Sequence, residues 1–301
     1  MAWTVDDIPS QEGRLALVTG ANSGLGLETV RALAAKQATV VLACRSRQKA
    51  EAARTQLLEQ GLTGLDLLEL DLADLTSVQR AITSFADRYG HLDLLINNAG
   101  VMAPPRRTTV QGRELQFGVN HLGHMALTQG LLALMESRPD ARVVTVTSGA
   151  QYFGKIRWED PDWEQGYERY SAYGQSKLAN VMFALELDAR LQEQNSSIRS
   201  LAAHPGVART ELQPTAIASG GNRFEALAYR LMDPLFQSAA MGALPQLHAA
   251  TAPTAQGGDH FGPNQLGGLR GHPVRCRIAP AAHNREERQR LWELSEQFLD
   301  A

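Results

Sequence analysis

Short apolar runs alternate with longer amphipathic segments over the first two thirds of the chain. The apolar runs have the length of strands, and we predict strands at Arg14–Thr19, Thr39–Cys44, Leu65–Asp71, Leu92–Asn97, Arg142–Thr147 and Ile198–His204. The segments between them predict helices at Gly24–Lys36, Gln48–Gln60, Leu75–Tyr89, Gln111–Arg138 (mostly helical) and Tyr170–Glu193. Apolar strands that alternate with helices favour a parallel sheet covered on both faces. The pattern therefore predicts an α/β, doubly wound fold.

The alternation weakens after the sixth predicted strand. Residues 206–235 contain glycines, prolines and little periodicity, and we predict a substrate-loop region there, beyond the carboxyl end of a strand. The remaining predictions are a helix at Ser238–Thr251, a final edge strand beginning at Asp259–Phe261, a loop to Pro273 and a C-terminal helix at Asn284–Leu299. No linker or repeat divides the chain. We predict a single domain over residues 1–301, with about seven strands.

Composition excludes several classes of protein. Hydrophobic residues make up 44% and charged residues 20% of the 301 positions, as in ordinary globular domains. The net charge of −3 and the absence of basic runs argue against a nucleic-acid partner. No apolar run reaches the ~18 residues needed to cross a bilayer, and the N-terminus lacks the apolar core of a signal peptide. With two separated cysteines, Cys44 and Cys276, we expect a cytoplasmic protein without an integral membrane segment.

A glycine-rich turn lies where the first predicted strand ends and the first predicted helix begins. The run T-G-A-N-S-G-L-G at residues 19–26 contains Gly20, Gly24 and Gly26, with Leu25 between the last two. Glycines permit a tight turn there, and backbone N–H groups at the helix N-terminus favour a bound pyrophosphate. The alternative is an ordinary strand–helix turn, but the strand–glycine–helix context favours a dinucleotide site.

The end of the second predicted strand bears on which dinucleotide binds. A site for NAD usually has Asp or Glu there, to hold the ribose 2′-hydroxyl. Here the strand ends in A-C-R-S-R, with Arg45 and Arg47 and no acid. A guanidinium can donate two hydrogen bonds to a 2′-phosphate, so we predict NADP (NADPH), with Arg45 the stronger candidate. Asn22 and Ser23 could add hydrogen bonds to that phosphate. The alternative is that both arginines are solvated surface charges.

Candidate acid–base chemistry lies in the run Y-G-Q-S-K. Tyr173 and Lys177 are four residues apart and therefore share one face of a helix. A lysine ammonium beside a phenol favours the phenolate and lowers the tyrosine pKa, which makes the group usable near neutral pH. Ser148 follows the fifth predicted strand. Each residue alone could be structural, and the order of the motifs gives them weight.

Together these motifs resemble the classical short-chain dehydrogenases/reductases. The resemblance covers nearly the whole chain and includes T-G-A-N-S-G-L-G at 19–26, D-L at 71–72, N-N-A-G at 97–100, Asn120, Ser148, Y-G-Q-S-K at 173–177 and H-P-G-V-A-R-T at 204–210. Within this family, the chain is most similar to the branch of the retinol dehydrogenases and protochlorophyllide reductases. That similarity lies in the runs A-N-S-G-L-G, A-C-R, V-N-H-L-G-H and K-L-A-N. The resemblance implies a Rossmann fold and an enzyme that transfers hydride to or from NADP(H).

The resemblance also implies roles for individual residues. Contacts with the cofactor are implied for Asp71 and Leu72 at the adenine, for Asn98, Ala99 and Gly100 beside the cofactor, and for Pro205, Gly206, Val207 and Thr210 at the nicotinamide. Ser148 and Tyr173 would both hydrogen-bond the substrate oxygen, and Tyr173 would exchange its proton. Lys177 would depress the tyrosine pKa and bind the nicotinamide ribose. Asn120 would hold a water that relays protons to Lys177.

Other aspects of function stay open at this stage. The branch and the aromatic residues between Ser148 and Tyr173 favour an apolar small-molecule alcohol, aldehyde or ketone. Aromatic and methionine side chains at Phe224, Tyr229, Met232, Phe236 and Met241 could line an apolar pocket or a core. Two alternatives are an NADP(H)-binding sensor or scaffold without turnover, and a reductase of an activated C=C bond. The family's long helices often pair into homodimers or homotetramers.

The histidines suggest no metal site. All eight are scattered along the chain without close ligand spacing. His121 and His124, which follow Asn120, are predicted to be packing or capping groups, and His204 is predicted to be structural.

Overall fold

An eight-stranded sheet forms the centre of the chain in a computed structural model that describes residues 2–209 and 236–300. The strands are β1 (Leu15–Thr19), β2 (Thr39–Cys44), β3 (Leu65–Glu69), β4 (Leu94–Asn97), β5 (Arg142–Val146), β6 (Arg199–Ala203), β7 (His260–Gln265) and β8 (Arg270–Arg275). Their order is β3-β2-β1-β4-β5-β6-β7-β8. The first seven are parallel, and β8 pairs antiparallel with β7. The predicted doubly wound, single-domain α/β fold is confirmed.

Helices cover both faces of this sheet. They are α1 (Gly24–Ala35), α2 (Arg47–Glu59), α3 (Leu75–Arg88), the composite α4 (Leu115–Phe117, Gly118–Leu122 and Gly123–Leu131), α5 (Arg169–Glu193), α6 (Ala239–Thr251) and α7 (Arg285–Asp300). The middle part of α4 is a π-helix and contains Asn120. Gly123 follows it, and a Cβ there would lie 2.6 Å from the carbonyl oxygen of Leu72, so glycine lets this helix approach the end of β3.

Two apolar layers account for this arrangement. Along β1, Ala16 and Val18 pack with residues of α1 and α6, whereas Leu15 and Leu17 face α3, α4 and α5. Every residue of β1 is buried, as expected for a strand covered on both faces. Helix α7 packs on α5, where Trp292 stacks on Phe183 with ring centroids 5.7 Å apart. Because β1, β4 and β5 are parallel neighbours, their carboxyl ends lie side by side at the same end of the sheet, between the two helical layers.

The prediction of a loop up to Pro273 was wrong, because residues 270–275 form β8. The strand predicted to lie at the edge of the sheet is β7, and β8 lies outside it as the true edge strand. Gly and Pro in this stretch read as turn signals from sequence. The strand tolerates them because it lies at the edge, where Pro273 faces Pro263 across the pair and one side of the backbone needs no partner strand. A register shift between Pro263 and Gln265 absorbs the irregularity.

Buried histidines make stability depend on pH. Burial lowers the pKa of His121 and His204 to about 3, and of His124 and His260 to about 4. In the unfolded chain each would titrate near ~6.5, so below that pH the unfolded state binds more protons than the folded state. The contribution of these four histidines to stability is therefore fully present above pH ~6.5 and is lost as the pH falls toward ~4. We expect the urea midpoint, followed by circular dichroism, to drop markedly from pH 7 to pH 5.

The exposed His283 provides the control for this experiment. His283→Gln should show the same drop, because that side chain is solvated in both states. A midpoint that stays constant down to pH 5 would contradict the neutral, buried state of the four histidines.

Candidate functional site

The glycine-rich turn lies at the carboxyl end of β1 and has backbone geometry that requires glycine. Gly20 and Gly24 have φ values of +64° and +53°, which side chains disfavour. A Cβ on Gly26 would lie 2.3 Å from the carbonyl oxygen of Gly20, so the first turn of α1 packs directly on the loop. Ser23 precedes α1 without a capping hydrogen bond from its side chain, so among the described residues this side chain does not occupy the N–H groups of the first turn, which can then bind an anion.

This turn forms one wall of a cavity of about 470 Å³. Twelve residues predicted to contact the cofactor line it: Gly20, Asn22, Ser23, Gly24, Leu25, Gly26, Arg45, Asp71, Leu72, Asn98, Ala99 and Gly100. Other lining residues were not predicted from the sequence, notably Thr19, Val101, Met102, Arg107 and Val119. A threonine at a strand end was the one signal that could have identified Thr19. The glycine cradle, the open helix N-terminus and the cavity fit a dinucleotide.

The two candidate arginines differ in their surroundings. Arg47 is bound to Glu51, with Nε 2.8 Å from the carboxylate. Arg45 lines the cavity and is exposed, and within residues 2–209 and 236–300 its guanidinium has no ion-pair or hydrogen-bond partner. Of the two arginines predicted to select NADP, Arg45 is therefore the one that a ligand in the cavity can reach.

Ser148, Tyr173 and Lys177 lie together at the ends of β5 and α5. Tyr173 and Lys177 are both buried, and Lys177 Nζ is 5.8 Å from the centroid of the Tyr173 ring. Lys177 Nζ also donates to the carbonyl of Val146 at 3.2 Å. The Ser148 side chain is near enough to the phenol to affect its pKa, and its Oγ accepts from Ala150 N at 3.2 Å. The lysine and the tyrosine thus share one side of α5, as their spacing predicts.

The electrostatics of this group differ from the sequence expectation. Burial raises the pKa of Tyr173 to about 12, although the neighbouring Ser148 side chain opposes the shift. Burial also lowers the pKa of Lys177 to about 8. The sequence predicted that Lys177 would lower the tyrosine pKa. The net shift of the tyrosine pKa is upward instead, because loss of solvation on burial is its largest cause.

Asn120 connects the loop after β4 to helix α5. Its Oδ1 accepts from Val101 N at 2.8 Å, and its Nδ2 donates to Val101 O at 3.0 Å and to Ser176 Oγ at 2.9 Å. A Cβ on Gly100 would lie 3.2 Å from Asn120 Oδ1 and 3.5 Å from Lys177 Nζ. Gly100 lines the cavity, so the catalytic candidates adjoin the cavity there. The side chain of Asn120 is engaged by protein, and a water relay would need its main-chain carbonyl.

The predicted nicotinamide segment lies beside β7 and β8. Gly206 has a φ of +65°, and Val207 N donates to Leu269 O at 2.8 Å. Gln237 Nε2 holds the carbonyl of Pro205 at 2.8 Å. These residues are outside the lining of the cavity described above. Thr210 lies outside the described residues, as do Phe224, Tyr229 and Met232, whereas Phe236 is buried.

The segment between Ser148 and Tyr173 is tied to the start of α4. Arg113 pairs with Asp162 at 3.0 Å, and Asp162 Oδ1 also accepts from Glu114 N at 2.9 Å. Arg106 Nε donates to Trp163 O at 2.8 Å. These contacts hold the extension against the loop after β4 and the start of α4.

Three potential metal ligands meet near β7, which the scattered sequence positions did not suggest. Ligand atoms of His204, His260 and Cys276 all lie within 4.8 Å of one another. Each of the three side chains has a hydrogen-bond partner within the protein. His260 Nδ1 lies 2.9 Å from Arg277 O and 3.2 Å from Cys276 Sγ, and His204 Nδ1 accepts from Gly206 N at 3.3 Å. The premise that no such cluster forms was wrong, but the hydrogen bonds give these residues a structural role.

None of the helices in the described parts of the chain has the length and apolar character needed to cross a membrane.

Comparison with known proteins agrees with this geometry. The model of the short chain dehydrogenase family matches residues 14–219. The chain is 38% identical to retinol dehydrogenase 12 of Homo sapiens over 95% of this chain and 86% of that protein. It is 36% identical to retinol dehydrogenase 14 of Mus musculus over 94% of this chain and 85% of that protein. A crystal structure of an uncharacterized protein from Mycobacterium paratuberculosis is 39% identical, with a TM-score of 0.82 over 100% of this chain and 98% of that one.

Proposed function

From the premise that this chain belongs to the short-chain dehydrogenase family, in its retinol dehydrogenase-like branch, and is an oxidoreductase of the alcohol–carbonyl type, we propose that it uses NADP(H) to interconvert an apolar alcohol and its aldehyde or ketone. The observation that carries the proposal is the joined arrangement of the glycine cradle, with Arg45 at its rim, and the Ser148–Tyr173–Lys177 group, which meet at Gly100.

The chemistry follows from where charge develops. Bound NADPH supplies the hydride, and bound NADP accepts it in the reverse direction. When a carbonyl is reduced, its oxygen becomes negative, and the hydroxyls of Ser148 and Tyr173 are the donors that stabilise it. Tyr173 gives its proton to that oxygen and, in oxidation, removes it from the alcohol.

Lys177 has a supporting role in this proposal. Its buried ammonium lies on the same side of α5 as the phenol and, when charged, stabilises the phenolate that remains after proton transfer. A tyrosine whose pKa is near 12 is a weak acid at neutral pH, so a positive charge beside it would favour loss of its proton. Asn120 holds α5 and the loop after β4 in register.

An apolar substrate class is supported by the names of the relatives, which are retinol dehydrogenases. The test is a panel of apolar and polar aldehydes and ketones, with NADPH and NADH followed at the nicotinamide absorbance. Turnover of apolar carbonyls with NADPH is the expected result. Tight NADPH binding without turnover on the whole panel would instead indicate a sensor. Reduction confined to conjugated C=C bonds would indicate a reductase of activated C=C bonds.

Arg45 should determine the choice between NADP and NAD. Removing charge-assisted hydrogen bonds to the 2′-phosphate costs about 1.5–3 kcal/mol, which corresponds to a loss of NADPH affinity of roughly 10- to 100-fold. Arg45→Ala should show this loss in a fluorescence titration, with little change in NADH affinity.

Arg47→Ala is the matched control, because Arg47 is already paired with Glu51 on the surface. It should leave NADPH affinity almost unchanged. If the unmodified protein binds and uses NADH better than NADPH, the role given to Arg45 is wrong.

A further inference from the structure

His124 is a buried histidine whose two ring nitrogens both have partners. It lies one turn after Asn120 on α4 and is 1% exposed. Its Nδ1 is 3.0 Å from the carbonyl oxygen of Asn120, and its Nε2 is 2.9 Å from Thr19 Oγ1. A carbonyl oxygen can only accept, so Nδ1 carries the proton and Nε2 must accept. The Thr19 hydroxyl therefore donates to His124.

Because the Thr19 hydroxyl donates its proton to His124, its oxygen is left to accept other hydrogen bonds. Its oxygen accepts from the backbone N–H groups of Asn98 and Ala99, each at 2.9 Å. The competing acceptor for its single proton, the carbonyl of Ile96, is farther away at 3.4 Å. Burial lowers the pKa of His124 to about 4, so the imidazole stays neutral at physiological pH and its lone pair remains available.

The loop after β4 is held against β1 by this bond system. Asn98 Nδ2 also donates to Thr19 O at 2.8 Å. A Cβ on Gly20 would lie 3.0 Å from the Cα of Ala99, so the two loops are in close contact. Gly20, Asn98 and Ala99 all line the cavity proposed for the cofactor.

The same chain of hydrogen bonds also reaches helix α5, which contains Tyr173 and Lys177. Asn120, whose carbonyl His124 holds, bonds Val101 through its side chain and donates to Ser176. Ser176 Oγ in turn donates to the carbonyl of Tyr173 at 2.8 Å. His124 therefore lies between the glycine cradle and the residues around Tyr173.

We infer that His124 is a positioning residue: through the Thr19 hydroxyl and the Asn120 carbonyl, it sets the loop at 98–101 relative to both the glycine cradle and helix α5. This inference rests on the proposed function of the cavity as a dinucleotide site. The competing interpretation is that His124 only fills space in the core, in which case an aromatic ring of similar size would serve.

Hydrogen exchange of the protein without cofactor tests the inference first. His124→Phe keeps the ring and removes both nitrogens, and Thr19→Val removes only the hydroxyl. Both should raise exchange of the amides of Asn98 and Ala99 by about fivefold or more, as expected for the loss of one net hydrogen bond. Both should also weaken NADPH binding by a similar factor in a fluorescence titration.

Coupling between the two sites distinguishes positioning from packing. The double variant His124→Phe with Thr19→Val should lose less NADPH affinity than the product of the two single losses, because both single changes remove the bond between Thr19 and His124. His124→Gln, which places an amide oxygen near the position of Nε2, should recover part of the affinity. Effects of the two single changes that multiply, or amide exchange unchanged in His124→Phe, would overturn the inference.

His121 provides a matched control on the same helix. It is also buried, but its Nε2 bonds Ser295 of α7 at 2.8 Å, on the side away from Thr19. His121→Phe should lower the melting temperature without raising exchange at Asn98 and Ala99. Hydrogen exchange is measured without cofactor, so its result does not depend on the proposed function. The proposed function fails separately, if the unmodified protein lacks turnover on the carbonyl panel.

Discussion

Tyr173→Phe should reduce turnover of the best carbonyl substrate by about 10²- to 10⁴-fold, the usual contribution of a general acid or base. The hydroxyl is the proton donor in the proposed reaction, and Ser148 alone cannot replace it. The buried ring still fills its place in the core, so NADPH affinity and melting temperature should change little. Stopped-flow or steady-state assays at saturating NADPH, together with a binding titration, measure both quantities.

Tyr89→Phe is the matched control for this experiment. Tyr89 lies at the end of α3, far from the cavity, and its hydroxyl bonds Asp66. The change removes one phenolic hydroxyl and should affect stability rather than turnover. A Tyr173→Phe protein that retains most of its activity would show that another group moves the proton, and the assignment of Tyr173 would fail.

Gly26→Ala should strongly weaken dinucleotide binding. The new Cβ would lie 2.3 Å from the carbonyl oxygen of Gly20 and 2.7 Å from Asn98 Nδ2, and both are parts of the loops that form the cradle. Backbone atoms must move to relieve the overlap, and overpacking of this kind typically costs about 1–3 kcal/mol. We expect a fall in NADPH affinity of about 100-fold and a lower melting temperature.

Gly90→Ala tests whether any added methyl group has this effect. A Cβ on Gly90 meets no atom within 4 Å, and its φ is outside the region that favours glycine. The variant should match the unmodified protein in NADPH affinity. If Gly26→Ala also binds NADPH normally, the first turn of α1 is not the phosphate site.

The cofactor cradle could be predicted from sequence because its determinants are local. A strand, three glycines and a helix follow one another within residues 15–35, and the positive φ angles at Gly20 and Gly24 depend on these residues alone. The spacing of Tyr173 and Lys177 is local too, because a helix places residues four apart on one side. The alternation of strands and helices predicted the sheet for the same reason.

Sequence reasoning failed where distant parts of the chain decide the outcome. Strand β8 contains glycine and proline and has little strand propensity of its own, but β7 supplies a partner and the edge position tolerates proline. The pKa of Tyr173 rises rather than falls because burial by the surrounding layers removes solvent from the phenol.

By itself, the sequence determined the doubly wound class, the glycine turn and the order of Ser148, Tyr173 and Lys177, because each depends on periodicity or on residues close together in the chain. Tertiary structure decided which groups meet. Arg45 lines the cavity while Arg47 is paired with Glu51. His124 contacts Thr19 across 105 positions of sequence. Such contacts form only when β1 and α4 pack on the same sheet, and no local pattern of polar and apolar residues specifies them.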